Sequence, residues 1–232
     1  MFMKFFNIYI SCLILSIGSL KSYAQDETAA QLMQTIAPSL VEVRTIDTKT
    51  ITDNNGHTVV GTYHSQGSGV IIDSYGTIVT NTHIITNAPH IYVGLSDGTV
   101  LEAKLVYSSD ADFSFIKIDP PSPLTPITWA DSSLAQVGTS ILALSNADDA
   151  QQHILGGEIT NLINGESLNN VEMFELNLTL FHGDSGGPLL DNQGHLLGLI
   201  MGKKNSEDNK SYAIASGKIQ KEYMQYQQNL PT

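Results

Sequence analysis

The sequence predicts an all-β protein, built as one barrel or as a pair of barrels rather than as an α/β sheet. Two observations predict this fold: the number and close spacing of short β-rich runs, and the turn signals between them. The clearest runs are Val41–Val43, Gly69–Ile72, Thr77–Thr80, His90–Leu95, Leu101–Val106, Phe113–Ile118, Ser140–Leu144, Gly157–Leu162, Leu189–Leu190 and His195–Met201. The turn signals include Asn55-Gly56, Tyr75-Gly76, Asp97-Gly98 and Gln193-Gly194.

The first 24 residues are set apart by composition and predict a secretory signal peptide. Lys4 precedes an apolar run from Ile8 to Leu20, and Ser22-Tyr23-Ala24 offers small residues for a cut before Gln25. We therefore expect an exported, periplasmic or secreted domain over residues 25–232, with no membrane contact beyond the signal segment. An uncleaved anchor and a lipoprotein cut at Cys12 are the alternatives. Cys12 is the only cysteine, so the mature domain would contain no disulfide.

The remaining segments are arranged around the strand-rich runs. Residues Gln25–Ser39 predict a short helical lead-in, with Leu32, Ile36 and Leu40 on one face. The polar, Thr-rich stretch Asp47–Gln66 is interpreted as an exposed loop. Asp119–Leu134, with four prolines, predicts the connection between two strand-rich halves, and Gly217–Gln228 predicts a closing helix.

Composition excludes several classes of function. Hydrophobic residues make up 41% of the 232 residues and charged residues 15%, which is typical of a packed globular protein. The formal net charge of −12 argues against nucleic acid as a partner, because phosphate binding needs clustered Lys and Arg. The histidines show no metal-ligand spacing such as H-E-x-x-H, so we predict no metal site.

Three segments carry candidate catalytic residues, and they follow in the order His83, Asp112 and Ser185. A serine hydroxyl is a weak nucleophile and needs a base to take its proton. The imidazole in turn needs a carboxylate on its other nitrogen, which fixes the tautomer and stabilises the imidazolium. The glycine-rich run Gly183–Pro188 could turn the backbone N–H groups of Gly183 and Ser185 towards one point, as an oxyanion hole requires.

The residues around these candidates resemble the HtrA (Deg) branch of the trypsin-like serine proteases. The matching motifs are Gln66–Asp73, Gly76–Ile85, Asp112–Ile118, Val137–Leu144, Gly157–Thr160, Gly183–Leu189 and Tyr212–Ser216. The resemblance implies a double barrel of two six-stranded antiparallel barrels, with His83 as base, Asp112 as its orienting partner and Ser185 as nucleophile. It also implies protein or peptide substrates and no cofactor. A homotrimer is one assembly that it implies, although the sequence does not fix the oligomeric state.

The chain departs from the family pattern in three places. The family usually carries PDZ domains after the protease domain, and we expect none here because the chain ends at Thr232. Asp184 stands where the family has Asn; in digestive proteases this aspartate pairs with a newly released amino terminus, so here it needs another partner or stays solvated. Leu180-Phe181-His182 replaces the usual Ile-Asn-Pro.

Substrate preference is predicted from the residues just before the nucleophile. Thr179 lies six residues before Ser185, where the trypsin fold has the floor of its specificity pocket. Without a carboxylate there, a small or medium apolar P1 residue is expected, since a P1 cation would lack a counter-charge. Leu180 and His182 are further candidates for substrate contact, and His182 could equally face solvent.

Several alternatives compete with this interpretation. Gly183–Gly187 also fits the G-x-S-x-G elbow of α/β-hydrolases, but that motif requires an Asp and then a His downstream. The same run could form a plain turn, and Asp110 competes with Asp112 as the carboxylate. At the level of function, the rivals are a catalytically silent binding or chaperone-like protein of the same fold and, less favoured, an esterase-like hydrolase.

Overall fold

The structure is a computed structural model that describes residues 31–52, 58–145, 153–165, 171–181, 183–203 and 210–230. Residues 1–37 form one unit and residues 38–232 a second. In the first unit, residues 31–36 are helical, as predicted for the lead-in; the earlier part of that prediction and the signal segment lie outside the described residues. Leu40 begins the first strand instead of continuing the helical face.

The second unit begins with a closed six-stranded barrel, barrel 1, in the strand order β1-β2-β3-β6-β5-β4. Its strands are β1 (Leu40–Thr52), β2 (Thr58–Ile71), β3 (Thr77–Thr80), β4 (His90–Gly94), β5 (Val100–Ser108) and β6 (Ser114–Lys117), and the short helix α1 (Thr82–Ile85) follows β3. Alternate residues of β1 point inwards: Val41, Val43 and Thr45 are buried, whereas Arg44 is exposed. This period of two is typical of a strand that packs on one face.

The predicted loop over Asp47–Gln66 is wrong for the residues that the structure describes there. Residues 47–52 and 58–66 continue β1 and β2 as an antiparallel hairpin, with Thr48 opposite Thr62 and Ile51 opposite Val59. Thr, Val and Ile favour extended backbone because their branched side chains suit the pleated surface of a sheet. The polar composition reflected the surface position of the hairpin, since Thr62, His64 and Ser65 are exposed.

A second closed barrel, barrel 2, follows in the order β10-β11-β12-β9-β8-β7, so the predicted pair of six-stranded antiparallel barrels is confirmed. Its strands are β7 (Ser140–Ser145), β8 (His153–Gly165), β9 (Val171–Leu176), β10 (Pro188–Leu190), β11 (Leu196–Lys203) and β12 (Ser211–Ala215). Short 3-10 helices lie at Ala37–Ser39 and Ser132–Leu134. The predicted connection runs between β6 and β7, and the closing helix α2 (Ser216–Gln228) follows β12 directly.

Each barrel has its own apolar core. Barrel 1 packs Val41, Val43, Ile71, Ile78 and Ile116 together, and barrel 2 packs Ile141, Phe174, Leu189, Ile200 and Ala213. Each fully buried aliphatic or aromatic side chain of this size contributes about 1.5–3 kcal/mol to stability, so the two cores give the rigid frame on which loops can position a site. Within the described residues, no helix is both long and apolar enough to span a membrane.

Candidate active site

The three predicted catalytic residues lie next to three different strands. His83 is on α1, directly after β3; Asp112 comes two residues before β6; Ser185 comes three residues before β10. The fold brings all three to one cleft of about 630 Å³, which Leu180, Phe181, Met201 and Gly202 also line. Barrel 1 thus supplies the histidine and the carboxylate, and barrel 2 supplies the serine.

The His83 ring and the Asp112 carboxylate form a two-point contact. His83 Nδ1 lies 2.8 Å from Asp112 Oδ2, and the His83 backbone N–H donates to Asp112 Oδ1 at 3.0 Å. When Nδ1 carries its proton towards the carboxylate, the other ring nitrogen, Nε2, is left as the proton acceptor. The pair can therefore act as a general base with a fixed tautomer.

Asp112 adopts an unusual backbone conformation that its neighbours hold in place. Its φ is +59°, a left-handed conformation that costs most residues free energy. The Asp112 carbonyl accepts hydrogen bonds from Asn81 Nδ2 at 3.0 Å and from the Thr82 backbone N–H at 3.3 Å. Asn81 is fully buried, so the donor side of this bond is shielded from water. Asp110, the competing carboxylate, lies 3.6 Å from the Lys218 ammonium instead.

The nucleophile loop, defined here as Gly183–Gly187, is packed so closely that two of its positions have no space for a side chain. A Cβ atom on Gly186 would lie 2.0 Å from the Ser68 carbonyl oxygen, and one on Gly187 would lie 2.3 Å from the Leu144 carbonyl oxygen. Gly186 also has φ +81°, which glycine adopts most easily. These glycines let the loop lie against backbone carbonyls of both barrels.

The Ser185 hydroxyl is hydrogen-bonded to a backbone carbonyl in this structure. Ser185 Oγ donates to the Met201 carbonyl oxygen at 3.4 Å, a long and therefore weak hydrogen bond. Among the hydrogen bonds of the described residues, none joins Ser185 to the His83 ring. Ser185 thus lines the same cleft as the His83 ring, with its hydroxyl bonded to a backbone carbonyl.

Ser68 and Asp184 hold the loop from two sides, and the sequence did not indicate either contact. Ser68, on β2 of barrel 1, donates its hydroxyl to the Gly183 carbonyl at 3.1 Å and its backbone N–H to the Ser185 carbonyl at 2.8 Å. Asp184 is buried, and its Oδ2 accepts from the Phe181 backbone N–H at 2.6 Å. Asp184 is therefore not solvated; its partner is a backbone amide of its own segment.

The predicted substrate-contact residues differ in where they lie. Leu180 is buried and lines the cleft, whereas Thr179 is exposed and is not among the described residues that line it. His182 lies outside the described residues. Phe181 and Met201, which sequence reasoning did not assign to substrate contact, form further apolar parts of the lining. Among the described residues, no group of three or more His, Asp or Glu side chains could hold a metal ion.

Comparison with known proteins gives consistent matches. A family model for the trypsin-like peptidase domain matches residues 67–199, more than half of the chain. The periplasmic pH-dependent serine endoprotease DegQ of Escherichia coli is 31% identical over 198 residues, covering 78% of this chain and 44% of DegQ. The serine endoprotease DegS of Haemophilus influenzae is 33% identical over 181 residues, covering 74% of this chain and 52% of DegS.

Among solved structures, the HtrA-type protease AlgW, determined with a decapeptide, superposes with a TM-score of 0.73 at 26% identity. This match covers 84% of the chain and 65% of AlgW. The chain spans about half the length of the two curated relatives described above. The similarity to HtrA-type proteases that the motifs indicated is confirmed by these matches.

Proposed function

The chain belongs to the trypsin-like peptidase family, and from this premise we propose that it is a serine endopeptidase. Ser185 attacks the scissile carbonyl, and His83 takes the hydroxyl proton and later delivers it to the leaving amine. Asp112 keeps the imidazole in the required tautomer and stabilises the imidazolium. The observation that carries the proposal is the 2.8 Å contact between His83 Nδ1 and Asp112 Oδ2 in the cleft that Ser185 lines.

The oxyanion that forms on the attacked carbonyl needs N–H donors, for which we propose those of Gly183 and Ser185. Gly183 has φ +95°, a left-handed backbone conformation that glycine adopts most easily. One such donor is typically worth about 10²–10³ in rate, so the loop geometry matters as much as the nucleophile. Water then hydrolyses the acyl-enzyme, with His83 again acting as base.

The substrates we propose are unfolded or exposed protein segments with a small or apolar P1 side chain. The cleft lining is apolar at Leu180, Phe181 and Met201, and Asp112, its one described carboxylate, is already engaged by His83. A P1 Lys or Arg would leave water without a matched counter-charge, which is unfavourable. Peptide substrates that differ only at P1 test this: Ala or Val is expected to be cleaved faster than Arg.

We propose that the protein acts outside the cytoplasm, in the periplasm or after secretion. The amino-terminal pattern over residues 1–24 supports this, as does the word periplasmic in the name of the DegQ relative. Amino-terminal sequencing of protein recovered from the periplasm or the medium would check it. An amino terminus at Gln25 is the expected result, and Met1 retained in the cytoplasm would contradict it.

A catalytically silent protein of the same fold is the second candidate. One observation favours it: Ser185 Oγ bonds to the Met201 carbonyl and not to His83. Digestion of unfolded casein, with Ser185→Ala as the matched control, separates the two functions. The endopeptidase proposal expects fragments from the wild type only. Binding of casein without cleavage by either protein would favour the silent candidate, and hydrolysis of esters without peptides would favour an esterase.

A further inference from the structure

Asp184 is a buried carboxylate to which the proposed reaction assigns no chemical step. Its side chain is next to the nucleophile, and only 2% of the residue is exposed. A carboxylate out of water needs hydrogen bonds to offset its lost hydration. One of these comes from the Phe181 backbone N–H, which donates to Asp184 Oδ2 at the short distance of 2.6 Å. The bond gives Oδ2 a partner and links the side chain to the backbone three residues upstream.

The backbone of Asp184 extends this connection in both directions. Its N–H donates to the Phe181 carbonyl at 3.3 Å, and its own carbonyl accepts from the Gly187 N–H at 3.0 Å. Asp184 therefore links the chain before Gly183 to the chain after Ser185. The two proposed oxyanion donors, the N–H groups of Gly183 and Ser185, lie within the segment that these three bonds enclose.

We propose that Asp184 is a positioning residue that braces the oxyanion donors from within the chain, with the Phe181 N–H as its partner. This inference rests on the proposed function and concerns its regulation. Because the partner of Asp184 is a backbone N–H of the same chain, the brace forms without an amino terminus released by cleavage and without a separate cation. Asp184 does not contact the reacting atoms. It acts by holding Gly183 and Ser185 where their N–H groups converge.

Replacement by Asn separates this brace from an ion pair. Asn has nearly the same shape, and its Oδ1 can accept from the Phe181 N–H, but it has no charge with which to bind an ammonium group. Ala can do neither. If the partner is the backbone amide, Asp184→Asn keeps kcat within about tenfold of the wild type. The neutral acceptor still forms the hydrogen bond with the Phe181 N–H, although this bond is weaker than that of a charged carboxylate. Asp184→Ala is expected to lower kcat by about 10²–10³, the usual effect of losing one oxyanion donor.

The experiment measures peptide hydrolysis and the rate at which a fluorophosphonate labels Ser185, for the wild type and both variants. The shape of the pH profile is expected to stay unchanged, because the His83–Asp112 pair is not altered. The matched control is Asp191→Ala. Asp191 Oδ1 also accepts from backbone N–H groups, of Gln193 at 2.8 Å and His195 at 2.9 Å, but it does not line the cleft. That variant is expected to keep wild-type activity.

Two results would overturn the inference. If folded Asp184→Asn loses as much activity as Asp184→Ala, the partner is a cation; if Asp184→Ala labels at the wild-type rate, there is no brace. Should Asp184→Ala fail to fold, the Asp184→Asn rate still decides between amide and cation.

If the wild type itself does not label, the proposed function fails, and the thermal midpoints of the variants then test the brace alone. A midpoint of Asp184→Asn near that of the wild type supports the brace. A midpoint of Asp184→Asn as low as that of Asp184→Ala contradicts it.

Discussion

Barrel 1 and barrel 2 build their halves of the site by different means. Barrel 1 holds His83 and Asp112 by side-chain hydrogen bonds, from Asn81 to the Asp112 carbonyl and from His83 to the Asp112 carboxylate. The loop that carries Ser185 is held largely by backbone contacts with both barrels, such as the bond from the Ser68 N–H to the Ser185 carbonyl, and glycines such as Gly186 permit them by having no side chain. The difference teaches that the first half is sensitive to the loss of side-chain atoms, whereas the second half is also sensitive to atoms added at its glycines.

The two halves also differ in their access to water. The His83 and Asp112 side chains are 48% and 31% exposed, whereas Asp184, in the nucleophile loop, is buried. Charges that face water attract each other weakly because solvent screens them. We therefore propose that Asp112 acts mainly by orienting the imidazole and fixing its tautomer, and this can be tested without disturbing the fold.

The largest expected effect is that of Asp112→Asn. Asn tolerates the left-handed backbone of this position, so the fold is retained. Its amide, however, can place an N–H opposite His83 Nδ1, which favours the tautomer that cannot accept the Ser185 proton. We expect kcat to fall about 10⁴-fold, as the corresponding change does in a chymotrypsin-type triad. Steady-state kinetics measures this, with Asp110→Asn as the control; equal losses in both variants would contradict the assignment.

The next effect tests barrel 2 by adding one methyl group. In Gly186→Ala the Cβ would meet the Ser68 carbonyl oxygen at 2.0 Å, in a backbone conformation with φ +81°. Steric overlap and left-handed strain together are expected to cost about 3–5 kcal/mol of unfolding free energy. Gly138→Ala is the matched control: its φ is +86°, but no atom lies within 4 Å of the added Cβ. If urea unfolding gave equal losses of unfolding free energy for both variants, close packing would not be the cause.

A smaller effect is expected when one side-chain bond is removed from barrel 1. Asn81→Ala deletes the donor to the Asp112 carbonyl, which we expect to cost about 1–3 kcal/mol of stability because the site is buried. A less fixed Asp112 should also lower kcat, with KM unchanged. In the control Thr82→Val, the hydroxyl that bonds to Ser114 Oγ at 2.8 Å is lost, but the contacts of Asp112 remain. A kcat loss in the control equal to that of Asn81→Ala would contradict a specific role for Asn81.

The smallest effect on the site is expected from a bond that holds α2 against barrel 1. Tyr223 on α2 donates its hydroxyl to Asp73 Oδ2 at 2.7 Å, and Lys117 lies nearby. Partial burial acts to raise the pKa of Asp73, but hydrogen bonds from Thr77 and Tyr223 and the charge of Lys117 outweigh it, so the pKa lies below its usual range. Tyr223→Phe is expected to cost about 1.5–3 kcal/mol of stability while leaving kcat unchanged.

The pH dependence of this bond follows from the lowered pKa. Because folding favours the ionised Asp73, the stabilisation is complete above about pH 4 and is lost as the pH falls through the lower pKa of the folded state. Thermal midpoints of the wild type and of Tyr223→Phe should therefore converge in acid. A difference in midpoint that stayed constant below pH 4 would contradict this account of Asp73.

Much of this fold could be predicted from the sequence, because its strongest signals are local. Alternating apolar residues indicated most strands. The motif order predicted that His83, Asp112 and Ser185 lie in one site, and in the structure all three line one cleft. Strand β9, Val171–Leu176, was not predicted: its two glutamates interrupt the apolar pattern, and it is a strand because it pairs with both β8 and β12. Strand propensity depends on such neighbours more than on the residues themselves.

The contacts that the sequence could not indicate join residues far apart in the chain or depend on rotamers. Ser68 and Gly183 are 115 residues apart, so their hydrogen bond depends on how the two barrels pack. The direction of the Ser185 hydroxyl, towards Met201, is a side-chain torsion that no pattern of residues encodes. The order of the motifs predicts which side chains lie in the same site, whereas tertiary packing determines their orientation.

The most direct test of the central claim, that the two barrels jointly activate Ser185, is covalent labelling with a fluorophosphonate followed by mapping of the modified residue by mass spectrometry. We predict one adduct per chain, on Ser185, with labelling slowed by at least about 10³-fold in His83→Ala because the nucleophile then lacks its base. Ser185→Ala should remain unlabelled. A folded wild type that stays unmodified, or one that labels equally fast without His83, would contradict the claim.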